Sequence, residues 1–290
     1  MCRDSTTPAT AAAEDENETF CKLNARVAHK SKQLLAEAKA SGTSPSPEVE
    51  PSTRARTALW CGTPIYQPRS VWMVYVFAAL SVGLIAHGFN ETGMACSLVS
   101  FLATYLCYDC YSGVLHVFFD ETRNLCLPVL GQPCLEFQWH HHLPDDIVRK
   151  GFVQACGDLN LVVGLSMCLH VGLTGNRGRD PLVLGLTGWK ILAAYFGQFS
   201  HRSAHMGLSQ RGPFLTKLQK TGLLTSPAQH HVHHTPPHSS NFCLLGPCND
   251  FVQVLTRAIP DYRLWRVLFV VWSLFDIPLL AAALTRLGLN

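Results

Sequence analysis

Apolar residues in this chain fall into long runs rather than alternating patterns, and the runs begin abruptly at Val71. "VWMVYVFAALSVGLIAHGFN" (71–90) carries no charged side chain over about the 20 residues a membrane helix needs. "GMACSLVSFLATYLCYDCYSGVLHVFF" (93–119) follows after a short turn, interrupted only by Asp109. A third run, 152–173, has Asp158 and Asn160 near its start, and a fourth, 181–199, contains Lys190. A fifth, 264–284, is broken by Arg266, Asp276 and Pro278 and reads as an interfacial or re-entrant helix. The pattern predicts an all-α integral membrane bundle of four transmembrane helices plus that fifth, interfacial one.

Residues 1–70 are of another material. "TTPATAAAEDENE" and "KASGTSPSPEVEPSTRART" are too polar and too rich in Pro, Ser and Thr to bury a core. They predict a disordered arm, with one short helix around Phe20 to Lys39. The expected organisation is therefore an arm (1–70), a membrane domain (71–265) and a C-terminal apolar helix (266–290). Asp4, Glu14, Asp15, Glu16 and Glu18 argue against a transit peptide, which avoids acids, and favour the endoplasmic reticulum over the plastid. Arg54, Arg56 and Arg69 precede the first run, Arg123, Arg149 and Lys150 separate the second from the third, and Arg202, Arg211, Lys217 and Lys220 follow the fourth. Only Arg177 and Arg179 fall on the opposite side, so both termini are expected in the cytosol.

Only 15% of the residues are charged, against about 25% in ordinary soluble domains. The net charge of +3 is too small and scattered for a nucleic-acid binder. The 12 cysteines are too dilute for a disulfide scaffold. Cys107 and Cys110 have CxxC spacing but no βαβ context and no second CxxC, so buried thiols are the plainer reading.

The chemistry lies in the histidines. "SGVLHVFFD" puts His116 and Asp120 four residues apart on one helical face, and "HRSAH" does the same for His201 and His205. In "QHHVHH", His230, His233 and His234 share a face while His231 points away. His140 and His141 diverge by about 100° on a helix and can serve different ions. All these groups fall at the cytosolic ends of the predicted spans. Eight imidazoles are too many for one zinc, which takes three or four ligands, and suit two ions of iron, copper or zinc. The Glu-x-x-His pattern of soluble di-iron bundles is absent. Asp120 and His238 are held in reserve as further ligands. His87 and His170 read as packed core histidines, His29 as solvated, and His142 and His231 as neighbours of the site. Asp109, two turns before His116, is expected to accept a ligand's free N–H. Lys190 either snorkels to the interface or has a buried partner.

The motifs also carry a resemblance. "DCYSGVLHVFFD" fits DxxSGxxHxxxD, "FQWHH" fits F-Q-x-H-H, and "HRSAH" fits HxxxH. "LQKTGLLTSPAQHHVHHTPPHSSNFC" fits a block ending in HxxHH, then Pro and an aromatic-Cys pair. Together, over roughly 70–265, they resemble the Kua-type lipid desaturases. One branch of these is the plasmanylethanolamine desaturases of animals and bacteria, the other the plastid enzyme that makes a trans double bond in phosphatidylglycerol. The resemblance implies a di-iron centre on the eight histidines, a phospholipid substrate, molecular oxygen, and electrons from a carrier such as cytochrome b5 or ferredoxin. Leu218 to His230 and Phe137 to His141 look like the plant form, while His238 and Gly157-Asp158 look like the plasmanyl form. Two departures stand out: "HRSAH" lacks an aromatic between its histidines, and "LLGPCND" after Cys243 is one residue short. Both bear on the substrate channel, an apolar groove expected from the turns just before His116 and His201. The rival readings are a membrane di-iron lipid hydroxylase, which would insert oxygen rather than remove hydrogen, and a metal transporter, which would need ligands near the membrane midplane.

Overall fold

The computed structural model describes residues 71–289 apart from 173–179, scattered positions between 122 and 150, and 236–237. Within the N-terminal arm it describes two paired two-residue strands, Leu59–Trp60 (β1) and Thr63–Pro64 (β2). The helix expected at Phe20–Lys39 and the arginines at 54, 56, 69, 177 and 179 lie outside the described residues. Everything else with regular structure is helical.

The chain divides into two compact units. The larger comprises Pro68–Val117 and Lys150–Asn290, and its frame is α1 (Val71–Asp120), α6 (Pro181–Ala204) and α10 (Tyr262–Arg286). Between them lie α4 (Phe152–Gly157) and α5 (Asn160–Gly172), and then α7 (Pro213–Lys220), α8 (Pro227–His233) and α9 (Asn249–Ala258). The smaller unit holds the last three residues of α1, with α2 (Gly131–His142) and α3 (Asp146–Arg149).

α1 is two antiparallel helices joined at Gly93, whose φ of 82° and ψ of 172° no L side chain adopts without strain. Its neighbours on α6 show the reversal. Val74 shares a core cluster with Ile191 and Tyr195, Ser81 abuts Gly188, and Gly88 abuts Gly185, so this half runs opposite to α6. Beyond Gly93, Cys96 packs with Leu182 and Leu186, Phe101 lies 4.9 Å from Trp189, and Tyr108 abuts Gly197, so the second half runs with it. The hairpin expected from 71–90 and 93–119 is thus present. Small residues allow the close approach: a Cβ on Gly188 would lie 2.6 Å from the Ser81 carbonyl oxygen.

Two expectations change. The third run is not one uninterrupted helix. Asp158 and Leu159 form i−3 bonds to Ala155 and Cys156 that tighten and end α4, leaving two short helices. The C-terminal run, expected at the interface, is a continuous 25-residue helix through Pro278. Among the described residues, α1, α6 and α10 are long and apolar enough to cross a membrane.

Asp276, one of the charges that made α10 look unsuited to crossing, turns out to be its attachment. Lys190 Nζ donates to both Asp276 carboxylate oxygens, at 2.9 and 2.7 Å, and lies 3.1 Å from His170 Nε2. The Tyr111 ring sits 5.1 Å from the same ammonium, and the Tyr111 hydroxyl is 3.0 Å from Ser273 Oγ. Lys190 therefore has a buried partner and does not snorkel. Removing one charge strands the other, at a cost of about 3–5 kcal/mol, whereas replacing both with apolar residues is far milder. Thermal unfolding in detergent should show a large loss for Lys190→Met and substantial recovery in Lys190→Met/Asp276→Leu.

Candidate metal centre

α8 begins in a capping box that explains why a histidine-rich stretch is helical at all. Ser226 Oγ accepts from Gln229 N, Gln229 Oε1 accepts from Ser226 N, and Pro227 occupies the first turn. The helix buries His230 and His233 and leaves His231 exposed, as the spacing predicts. His234 is its C-cap, and His205 is the C-cap of α6. His116 projects from the end of α1 and His201 from the last turn of α6.

These six imidazoles of the larger unit converge. His230 lies 4.6 Å from His201, 4.5 Å from His205 and 4.6 Å from His234, between ring centroids. Donor atoms of His201, His205, His230 and His234 all fall within 4.8 Å of one another. His116 and His233 form a second focus, 5.2 Å apart, with His116 5.9 Å from His201.

The tautomers are set from behind. His116 Nδ1 is 3.2 Å from the Ser112 carbonyl and His233 Nδ1 is 3.0 Å from the Ser240 carbonyl. A carbonyl only accepts, so each Nδ1 carries the proton and each Nε2 is a lone-pair donor. Burial, then the neighbouring rings of His201, His205, His234 and His233, hold the His230 imidazole well below its ordinary pKa, hence neutral at pH 7.

A transition ion fits this arrangement. His230 Nε2 lies 2.8 Å from His205 Nε2 and 3.1 Å from His234 Nε2. A single ring nitrogen has either one proton or one lone pair, so it cannot satisfy both contacts as hydrogen bonds. A metal with M–N bonds of about 2.1 Å holds adjacent nitrogens about 3 Å apart and satisfies all three. Cys243 is buried, which pushes its thiol up and keeps it S–H rather than a thiolate ligand.

The segment after the histidines is bolted to α1. Asp109 accepts backbone N–H bonds from Leu245 at 2.9 Å, Gly246 at 3.0 Å and Cys248 at 2.7 Å. Ser112 Oγ accepts from Leu244 N at 3.0 Å, and a Cβ on Gly113 would meet Cys243 Sγ at 2.9 Å. So the D-x-x-S-G portion of the α1 motif is a dock for residues 243–248. This corrects the expectation that Asp109 would receive a ligand's N–H. Sequence reading also missed Gln219, Thr225 and Asn249. Gln219 Nε2 donates to Ser203 Oγ and the Thr225 carbonyl, Thr225 Oγ1 donates to the carbonyls of Cys243 and Leu244, and Asn249 Oδ1 accepts from Cys243 N. Their local sequence carries no signal: Gln219 lies among Lys217, Lys220 and Thr221, Thr225 beside Ser226, and Asn249 beside Asp250. His238, held in reserve as a ligand, places Nδ1 2.9 Å from the His233 carbonyl and so caps α8, in the positive-φ region at 57°.

In the smaller unit, His141 Nε2 lies 3.0 Å from Asp120 Oδ1. His140 and His141 differ in ring plane by 89°, as expected for neighbours on a helix that face different directions. Phe119 packs 5.0 Å from Phe137, and Asn124 Nδ2 donates to the Phe118 carbonyl, which stiffens the backbone around Asp120. Cys107 and Cys110 are free thiols.

Helices fit to cross a bilayer and a cluster of converging imidazoles that could hold a metal ion define the class of protein. The lipid desaturase domain matches residues 105–270, and the chain belongs to that family. It is 33% identical over 144 residues to fatty acid desaturase 4, chloroplastic, of Arabidopsis thaliana, covering 50% of this chain and 43% of that one. It is 27% identical over 189 residues to plasmanylethanolamine desaturase of Myxococcus xanthus, covering 63% and 65%. Plasmanylethanolamine desaturase 1 of Mus musculus is 25% identical over 198 residues, covering 62% and 71%. The chain thus spans less than two thirds of the length of the plant and bacterial relatives. No solved structure matches.

Replacing Asp109 with Leu leaves the buried Leu245 N–H and the part-buried N–H groups of Gly246 and Cys248 without their acceptor, at about 1–3 kcal/mol for the buried one. Hydrogen exchange at residues 243–248 should accelerate in Asp109→Leu while that of α10 stays unchanged; equal protection of the loop in both proteins would remove the dock.

Proposed function

We propose that this chain is a membrane-bound, oxygen-dependent di-iron lipid desaturase that introduces a double bond into an alkyl or acyl chain of a phospholipid. The observation that carries the reading is the convergence of His201, His205, His230 and His234, with donor atoms within 4.8 Å, in a chain of the lipid desaturase family. Side chains alone cannot abstract hydrogen from an unactivated methylene. Iron, when bound, supplies oxygen activation at the histidine cluster. His140 and His141 complete the ligand set to eight, with Asp120 as the carboxylate beside His141.

The protein's own residues do the remaining work. Ser112 and Ser240 orient the Nε2 atoms of His116 and His233 through their carbonyls. Burial of His201, His230 and His233 excludes water from the reacting centre. Two hydrogens leave the chain as the C=C bond forms. Those two hydrogens, as two electrons and two protons, together with two more electrons from the carrier and two more protons from the medium, reduce one dioxygen to two waters. Cytochrome b5 or ferredoxin is the proposed donor. The named activities of the relatives support two substrates, a plasmanyl ethanolamine lipid and a plastid lipid, and the acidic arm favours the endoplasmic reticulum.

Purified protein should contain about two iron atoms per chain, the number eight imidazoles suit. His233→Ala should lower both iron and activity. Mass spectrometry of host phospholipids should show loss of two hydrogens; a gain of one oxygen would make the protein a hydroxylase. Iron content and activity unchanged in His233→Ala would sink the site assignment.

A further inference from the structure

A groove of about 300 Å³ opens on the larger unit between the second half of α1 and α6, two helices long and apolar enough to cross a membrane. Phe101, Tyr105, Trp189, Leu192, Ala193 and Phe196 line it. None of them is charged. Its polar side-chain groups are the Trp189 indole N–H and the Tyr105 hydroxyl, and the latter donates to the Leu223 carbonyl at 2.5 Å. Lys190, next in sequence to Trp189, is buried in its ion pair with Asp276 and gives the groove no charge.

The groove lies on the same two helices that carry His116 and His201. Phe196 precedes His201 by five residues and Tyr105 precedes His116 by eleven, about 7 and 16 Å along a helix. Leu223, to which Tyr105 is tied, belongs to the loop that runs into Ser226, the cap of α8. The far end is narrowed by the contact between the Phe101 and Trp189 rings, 4.9 Å between centroids.

We propose that this groove seats the hydrocarbon chain of the phospholipid substrate, with Trp189 and Phe101 setting how far the chain extends and hence which methylenes reach the histidine cluster. The inference rests on the desaturase reading for the identity of its occupant. A partner helix about 10 Å across is too wide for a cavity of this size, whereas a flexible chain enters it. Lipid tails are as apolar as leucine, so the gain on entry is close packing against aromatic faces and not hydrophobic transfer. Trp189 and Phe101 are positioning residues and stay clear of the metal.

The test uses the full-length protein in vesicles containing phosphatidylethanolamine or phosphatidylglycerol whose sn-1 chain ends in a photoactivatable diazirine. Crosslinks should fall on peptides containing Phe101–Tyr105 and Trp189–Phe196. Ala193→Trp, which fills the groove, should cut that labelling about tenfold, the scale of an overpacked apolar site, at unchanged iron content. Trp189→Ala should shift the unsaturated products toward longer chains, which guards against a folding failure in the first variant. Labelling confined to other helices, crosslinks to a second copy of the chain, or an unaltered pattern in both variants would overturn the groove. Desaturation without groove labelling removes this inference alone; groove labelling in an iron-loaded protein that desaturates nothing removes the desaturase reading alone.

Discussion

Imidazole nitrogens do not gather three abreast without a reason. The Nε2 atom of His230 stands within 3.1 Å of those of both His205 and His234, and with one proton or one lone pair it cannot serve both neighbours unless a cation lies among them, in a place where burial keeps water out. Every other element of the larger unit can be read as holding this unfavourable arrangement in place. α6 and α8 present their imidazoles at helix ends, with His205 and His234 at the C-cap positions. α1 supplies His116 and, two turns earlier, the carboxylate that anchors the segment following the ligand helix.

That anchoring is what makes a site built from distant segments rigid. Residues 221–226 and 243–248 are irregular backbone, and buried irregular backbone needs partners for its polar groups. Gln219, Thr225, Asn249, Asp109 and Ser112 supply those partners. A metal site of this kind needs its outer contacts as much as its ligands, because a misdirected ring nitrogen is no ligand.

Much of this was legible from the chain itself. The hydrophobic runs located the α1 hairpin and α6, because a membrane helix is a composition signal that needs no tertiary context. The HxxHH and HxxxH spacings located the faces on which the imidazoles converge, since helical periodicity fixes which side chains are neighbours. Tertiary partners were not legible. Asp276 counted as a flaw in an apolar run until Lys190 was found opposite it. Asp109 was correctly marked as non-random, yet its partners are backbone amides 136 to 139 residues away, which no local pattern encodes. The break in the third run at Asp158 was visible as a charge but not as a helix end, because a short run of tightened turns has no compositional mark.

The pairing of Lys190 with Asp276 has a consequence for biosynthesis. The ammonium enters the bilayer with α6, well before the ribosome has made the counter-ion on α10. Until then, His170 and the face of Tyr111 are the groups beside it. Maturation therefore depends on the last helix arriving, and a nascent chain stalled before residue 276 carries an exposed intramembrane charge that quality control can recognise.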